Sequence, residues 1–184
     1  MKRLSLEQIY RNNLRKRGYG RLLPIIRGYA EDCEDIKEIG VGEGKVSSAL
    51  LMWCDWQVYG YDVLSTKKAR RLKSAALAEW KERVYTYGHW VHLELEATDM
   101  LVIDAVRQAN MVWAMLYDSG KVVNKRILLL GTKKWGKVGE FEWLGIDYAI
   151  EKYINEFGGY KVVGVYDEGI GMTVLERDYT DDKT

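Results

Sequence analysis

Gly40, Gly42 and Gly44 alternate directly after the short stretch Ile36-Lys37-Glu38-Ile39 and directly before Lys45-Val46-Ser47-Ser48. This spacing constrains the fold more than any other feature of the chain. Glycine enters left-handed backbone conformations without a Cβ penalty, so a strand can turn into a helix within a few residues and leave bare backbone facing a ligand. Residues 36–63 read as a strand, that turn, a helix, and a second strand Val58-Tyr59-Gly60-Tyr61 that runs into Asp62 and Val63. Glu38 precedes Gly40 by two residues, and Asp62 follows Gly44 by 18. A carboxylate at the end of a second strand is placed to accept hydrogen bonds from ribose hydroxyls.

The dinucleotide fingerprint G-x-G-x-x-G needs its third glycine at position 45, where this chain has Lys45. The pattern present is acid-x-Gly-x-Gly-x-Gly. Here the chain resembles the class I S-adenosylmethionine-dependent methyltransferases, whose first motif has that form. The resemblance implies that Glu38, Gly40, Gly42, Glu43 and Gly44 lie beside the methionine and adenosine portions of S-adenosylmethionine, with Asp62 and Val63 at its ribose. The plain alternative is a structural strand-to-helix turn that binds nothing.

Length and charge narrow the classes. At 184 residues the chain is about one domain, long enough to bury a full core. Lys and Arg number 28 against 27 Asp and Glu, so bulk charge selects neither a nucleic-acid nor a membrane-surface partner. Residues 2–27 nevertheless carry eight Lys and Arg against Glu7 alone. A solvated helix face with a basic loop accounts for them more simply than an arm contacting RNA or DNA. Cys33 and Cys54 form no C-x-x-C pair and read as reduced and buried. The charged first residues have no apolar run behind them, and no stretch reaches membrane-spanning length, which predicts a cytoplasmic protein without a membrane partner. Seven Trp and 13 Tyr supply core area and leave room for a homo-oligomer surface.

Taken in order, Ser5 and Gln8 form a capping-box signature for a helix over about 5–17, and residues 22–33 suit a second helix with Pro24 in its first turn. A helix over 45–54 follows the glycine turn, and Ser65 is expected to cap another that runs to about 83. Residues 85–95 contain a third strand. Met100-Leu101-Val102-Ile103 and Ile127-Leu128-Leu129-Leu130 are apolar runs of the kind buried on both faces of a parallel sheet. A helix over 106–117 separates them, and 131–139 reads as a loop. A helix over 148–157 precedes two alternating strands, 160–166 and 171–176, joined by a turn. Strand–helix alternation followed by a hairpin predicts an α/β fold, Rossmann-like and of class I methyltransferase type. Its sheet is expected to have seven strands, mostly parallel, with an antiparallel C-terminal hairpin and helices on both faces. One domain is expected over 1–184: N-terminal helices to 33, the core over 34–177, and a polar tail over 178–184.

From about 23 to 177 the chain also resembles a narrower group of short phage and bacterial methyltransferase-like proteins, akin to the cephalosporin-hydroxylase type. The matching stretches are 36–40 with Ser47-Ser48, 98–104, 149–154 and 171–177. Two departures follow from the same resemblance. Relatives carry a His soon after the acid that ends the fourth strand, where this chain runs Asp104-Ala105-Val106-Arg107. Relatives also carry His-Asp at the end of the fifth strand, where Leu130 and Gly131 stand. Asp104 alone cannot supply the converging oxygens a hard cation needs, so no metal is expected. His89 and His92 point to opposite faces of a strand and read as structural.

Asp104, at the end of a buried strand, and Lys133, in the loop after the next, are the candidate catalytic residues. Asp104 could equally hold a neighbouring loop, and Lys133 could belong to a solvated basic loop. Three readings stay open: metal-independent methyl transfer to an unidentified acceptor, a non-catalytic module that binds a nucleoside-like ligand or a protein, and consumption of S-adenosylmethionine by another route.

Overall fold

The computed structural model describes residues 4–54, 57–62, 66–78, 85–87, 97–105, 107–140 and 143–179. They fall into two compact units, 1–92 and 93–184.

The first unit begins with α1 (Leu6–Leu14), whose capping box is formed as the sequence predicts. The Gln8 amide donates to Ser5 Oγ at 3.2 Å, and the Ser5 amide donates to Gln8 Oε1 at 3.0 Å. The helix stops three residues short of position 17, because Arg15-Lys16-Arg17 offers three exposed cations and no apolar residue to bury. α2 (Leu23–Ala30) carries Pro24 in its first turn, where a missing N–H costs nothing. β1 (Asp35–Ile39), α3 (Lys45–Trp53) and β2 (Gln57–Tyr61) follow, and β1 pairs parallel with β2 so that Glu38 stands opposite Gly60. β3 (Tyr85–Tyr87) pairs parallel with β2 on its other side. α4 (Lys67–Ala78) lies between them in sequence. Its cap is Thr66, whose Oγ1 accepts from the Ala69 amide at 3.1 Å; Ser65 and the stretch 79–83 lie outside the described residues. The core holds Ile36, Val46, Leu50, Leu51, Val58 and Leu72, all at most 1% exposed. Each such side chain contributes about 1.5–3 kcal/mol relative to exposure. Both cysteines are free thiols, and both are buried.

The second unit is built on β4 (Thr98–Ile103) and β5 (Val123–Leu130), which pair parallel with Ile103 opposite Leu129. Met100 to Ile103 and Ile127 to Leu130 are buried throughout, as unbroken apolar runs require. Between them α5 (Ala109–Ser119) leads into a single 3₁₀ turn over Gly120–Val122. The helix starts later than position 106 because Gln108 is extended, at φ −118° and ψ 137°. α6 (Thr132–Trp135) replaces the loop expected after β5. Gly131 redirects the chain in a left-handed conformation, and the Trp135 amide closes a turn on its carbonyl at 2.8 Å. α7 (Ile146–Phe157) leads to β6 (Tyr160–Tyr166) and β7 (Met172–Arg177). These two form the antiparallel hairpin expected at the C-terminal end, and β7 pairs antiparallel with β5 as well. Strand order in this unit is therefore β4-β5-β7-β6, which places the last strand inside the sheet. Tyr160 anchors the hairpin: its hydroxyl lies 2.8 Å from the Val123 carbonyl oxygen and 3.0 Å from that of Gly120, and burial pushes the phenol up to about 12.

No described helix is long and apolar enough to cross a membrane.

Candidate functional site

Strand β1 ends where the sequence places the glycine turn. Gly40, Gly42 and Gly44 take φ values of 93°, 52° and 74°, all in the left-handed region that side chains rarely enter. The Gly40 amide donates to the Tyr61 carbonyl at 2.8 Å, which carries the β1–β2 pairing into the turn. The Gly44 amide donates to the Val41 carbonyl at 2.8 Å and closes it. A Cβ on Gly44 would stand 2.8 Å from Leu72 Cδ2, so the turn packs directly on α4. A Cβ on Gly42 would meet nothing within 4 Å. That open space beside bare backbone is what a bound small molecule needs.

Asp62 is bonded to the same glycine. Its Oδ2 accepts from the Gly42 amide at 2.6 Å, so the carboxylate that ends β2 is drawn onto the turn that follows β1. Thr66 Oγ1 donates to the Gly42 carbonyl at 2.8 Å while also capping α4. Sequence reasoning chose Ser65 for the cap and missed Thr66. The pair Ser65-Thr66 offered two hydroxyls, and position alone does not choose between them. Val63, the other residue expected at the ribose, lies outside the described residues.

Glu38 is fully buried on β1 and accepts a hydrogen bond from the Ser47 hydroxyl on α3. It ties the strand before the turn to the helix after it. Glu43 instead reaches outward, to Lys68 Nζ at 2.6 Å and Lys45 Nζ at 3.5 Å. The Lys68 hydrogen bond holds its carboxyl below the ordinary value of 4.5, with both lysines adding attraction. The first unit thus brings together Glu38, the three glycines, Glu43 and Asp62.

Asp104 and Lys133 belong to the second unit. Asp104 is 9% exposed and bonded by Arg107 Nη2 at 2.9 Å. The same guanidinium lies 4.2 Å from the centre of the Trp135 ring and 3.9 Å from Glu140 Oε1. Arg107 and Glu140 also meet through backbone, the Glu140 amide donating to the Arg107 carbonyl at 3.0 Å. Arg107 therefore ties the end of β4 to α6 and the segment beyond it. Its spacing of three from Asp104 was a readable signal for an ion pair, and the sequence analysis did not use it. Lys133 is exposed on α6, where its amine donates to the Asp167 carbonyl at 2.6 Å, in the turn between β6 and β7. Among the described residues no cluster of three His, Cys, Asp or Glu side chains is arranged to hold a metal ion.

No protein-family model and no curated protein matches the sequence. Solved structures do. One is the magnesium protoporphyrin IX methyltransferase of Synechocystis with bound S-adenosylmethionine, which superposes with a TM-score of 0.67 at 13% identity over 88% of this chain and 80% of that one. An O-methyltransferase from Bacillus cereus in complex with S-adenosylhomocysteine gives 0.63 at 17% identity over 94% and 90%. An O-methyltransferase family protein from Burkholderia thailandensis gives 0.66 at 13% identity over 94% and 59%. Identities this low speak for architecture and not for chemistry, and on that footing the chain carries the Rossmann-like fold of the class I methyltransferases.

Proposed function

We propose that this protein binds S-adenosylmethionine at the glycine turn and transfers its methyl group to an acceptor without a metal. The observation that carries this reading is the contact between Asp62 and the amide of Gly42, a glycine beside which a Cβ would meet nothing within 4 Å. It is supported by the likeness to folds solved with S-adenosylmethionine or S-adenosylhomocysteine bound.

The residues present fit such a molecule. Gly40, Gly42 and Gly44 would form the turn beside it, with open space next to Gly42 and with Gly44 packed against Leu72 of α4. Asp62 would accept from its ribose hydroxyls, and Val63 would lie beside them. Glu38 fixes the angle between β1 and α3 through Ser47, and Glu43 with Lys68 holds the turn against α4. When bound, the sulfonium supplies a methyl group already activated for transfer. The protein's contribution is then to orient an acceptor and exclude water, with a general base needed only where the acceptor must lose a proton. In this reading Asp104 and Lys133, both on the second unit, are the candidate catalytic residues.

A second reading, a non-catalytic module on the same fold, draws on one observation. Asp104 and Lys133 each have a structural partner, Arg107 and the Asp167 carbonyl, that a free base or acceptor clamp would not need.

Calorimetric titration with S-adenosylmethionine and S-adenosylhomocysteine tests the first claim. Asp62→Ala is expected to lose about 10- to 100-fold in affinity, the worth of hydrogen bonds to a charged group. Equal affinity in the variant, or no binding of either ligand by protein shown free of copurified cofactor, would refute it. Binding without transfer of labelled methyl to any acceptor would favour the module.

A further inference from the structure

We infer that the first unit carries a nucleic-acid-binding surface, formed by α4 and the end of α1, beside the glycine turn. Near-neutral bulk charge hides a strong segregation. Residues 1–92 hold 17 Lys and Arg against 11 Asp and Glu, a balance of +6, whereas residues 93–184 hold 11 against 16, a balance of −5.

Five of these cations lie together on α4. Lys67, Lys68, Arg70, Arg71 and Lys73 occupy five of its first seven positions, and the helix contains no acid. Lys67, Lys68, Arg70 and Arg71 are exposed, while Ala69, Leu72, Ala75 and Ala76 are buried against the unit. The outward face of this helix is thus cationic from its first turn. That arrangement opposes the stability of the helix itself. Lys67 and Arg71 repel at i,i+4, and Lys68 and Arg71 at i,i+3, where like charges cost roughly 0.2–0.5 kcal/mol per pair. Cations in the first turn also face the positive end of the helix dipole. Glu43 offsets the charge of Lys68, and a polyanion bound along the face would relieve the repulsion between Lys67 and Arg71.

Two further contacts extend and locate the surface. α1 packs against α4, and its C-terminal end continues into exposed Arg15, Lys16 and Arg17. Thr66 and Lys68, at the start of α4, are bonded to Gly42 and Glu43 of the glycine turn. A phosphate backbone lying on α4 would therefore pass the rim of the proposed cofactor site. This makes a nucleic acid the acceptor class for the proposed transfer, and that assignment rests on the methyltransferase reading. The binding surface itself does not.

The test is fluorescence anisotropy of the full chain with short labelled oligonucleotides: a single-stranded RNA, a DNA strand of the same sequence, and its duplex. Binding of any of these, weakening steeply between about 50 and 200 mM salt, is expected. The pair Lys67→Glu with Arg71→Glu is expected to lower affinity at least about tenfold and to flatten the salt slope by about two. Lys161→Glu, on exposed β6, is expected to leave it unchanged. Circular dichroism and thermal melting establish that the variants fold, and Arg17→Glu gives an independent probe from the segment that follows α1. No binding at the lowest salt, equal binding by the α4 and α1 variants, or binding to phosphatidylserine vesicles in place of oligonucleotides would overturn the inference. Calorimetry with S-adenosylhomocysteine on the same preparation separates the two claims. Cofactor binding without oligonucleotide binding defeats this inference alone, and the reverse defeats only the methyltransferase reading.

Discussion

Asp147 shows how two local rules conflict at one residue. It lies in the first turn of α7, where the helix dipole favours a carboxylate. Burial nevertheless pushes its carboxyl above the ordinary value of 3.8, and Glu151 adds repulsion that Lys137 only partly offsets. The folded protein therefore holds this proton more tightly than the unfolded chain does. Stability from this group is present below the unfolded value and is lost as pH rises through the folded one. Asp147→Asn removes the titration, so its stability relative to the parent is expected to improve as pH rises above 3.8. Urea unfolding of both proteins across that range checks it, and parallel curves would refute it. At this scale the sequence was informative where a residue type has few options. Glu38, the three glycines and Asp62 were readable from spacing, because a strand–turn–helix leaves them little choice of place. The bond of Arg107 to Asp104 was readable from their spacing of three, but its contacts with Trp135 and Glu140, some thirty residues away, were not.

Elements were legible in proportion to their length and apolar content. The second halves of β4 and β5 announced themselves as apolar runs, Met100 to Ile103 and Ile127 to Leu130, and the capping box fixed the start of α1. α6 did not, since four residues are too few to display a helical period. What holds α6 is tertiary. The Lys134 amide donates to the Ile170 carbonyl at 3.2 Å, the Gly131 amide donates to the Gly171 carbonyl at 2.8 Å, and Lys133 reaches Asp167. The turn between β6 and β7 is thereby fastened to the helix that follows β5. Gly171 lies at the closest approach, with φ 84° and only 2.2 Å from a would-be Cβ to the Lys133 amide nitrogen. Gly171→Ala is expected to cost about 2–4 kcal/mol, from left-handed backbone and from overpacking against a main chain that cannot step aside. Thermal melting should show a loss of several degrees, and an unchanged midpoint would refute the contact.

For the whole molecule, alternation of strands and helices disclosed the fold class, and the alternating pattern over 160–177 disclosed the hairpin. Strand order was beyond reach, because pairing between β5 and β7 joins segments whose own sequences carry no address for each other. That order has a consequence for synthesis. Leu130, at the end of β5, leaves the ribosome 42 residues before Met172, the start of β7. At about 5–20 residues per second the delay is roughly 2–8 s. Throughout it, the edge of β5 that β7 will cover presents unpaired backbone groups flanked by Ile127, Leu128, Leu129 and Leu130, the kind of edge on which chains aggregate. A chain stopped after Gly171 is expected to be recovered in the insoluble fraction, and a soluble, monomeric product with native circular dichroism would contradict this. Until β7 emerges to cover β5, the nascent second unit stays vulnerable to self-association along that edge.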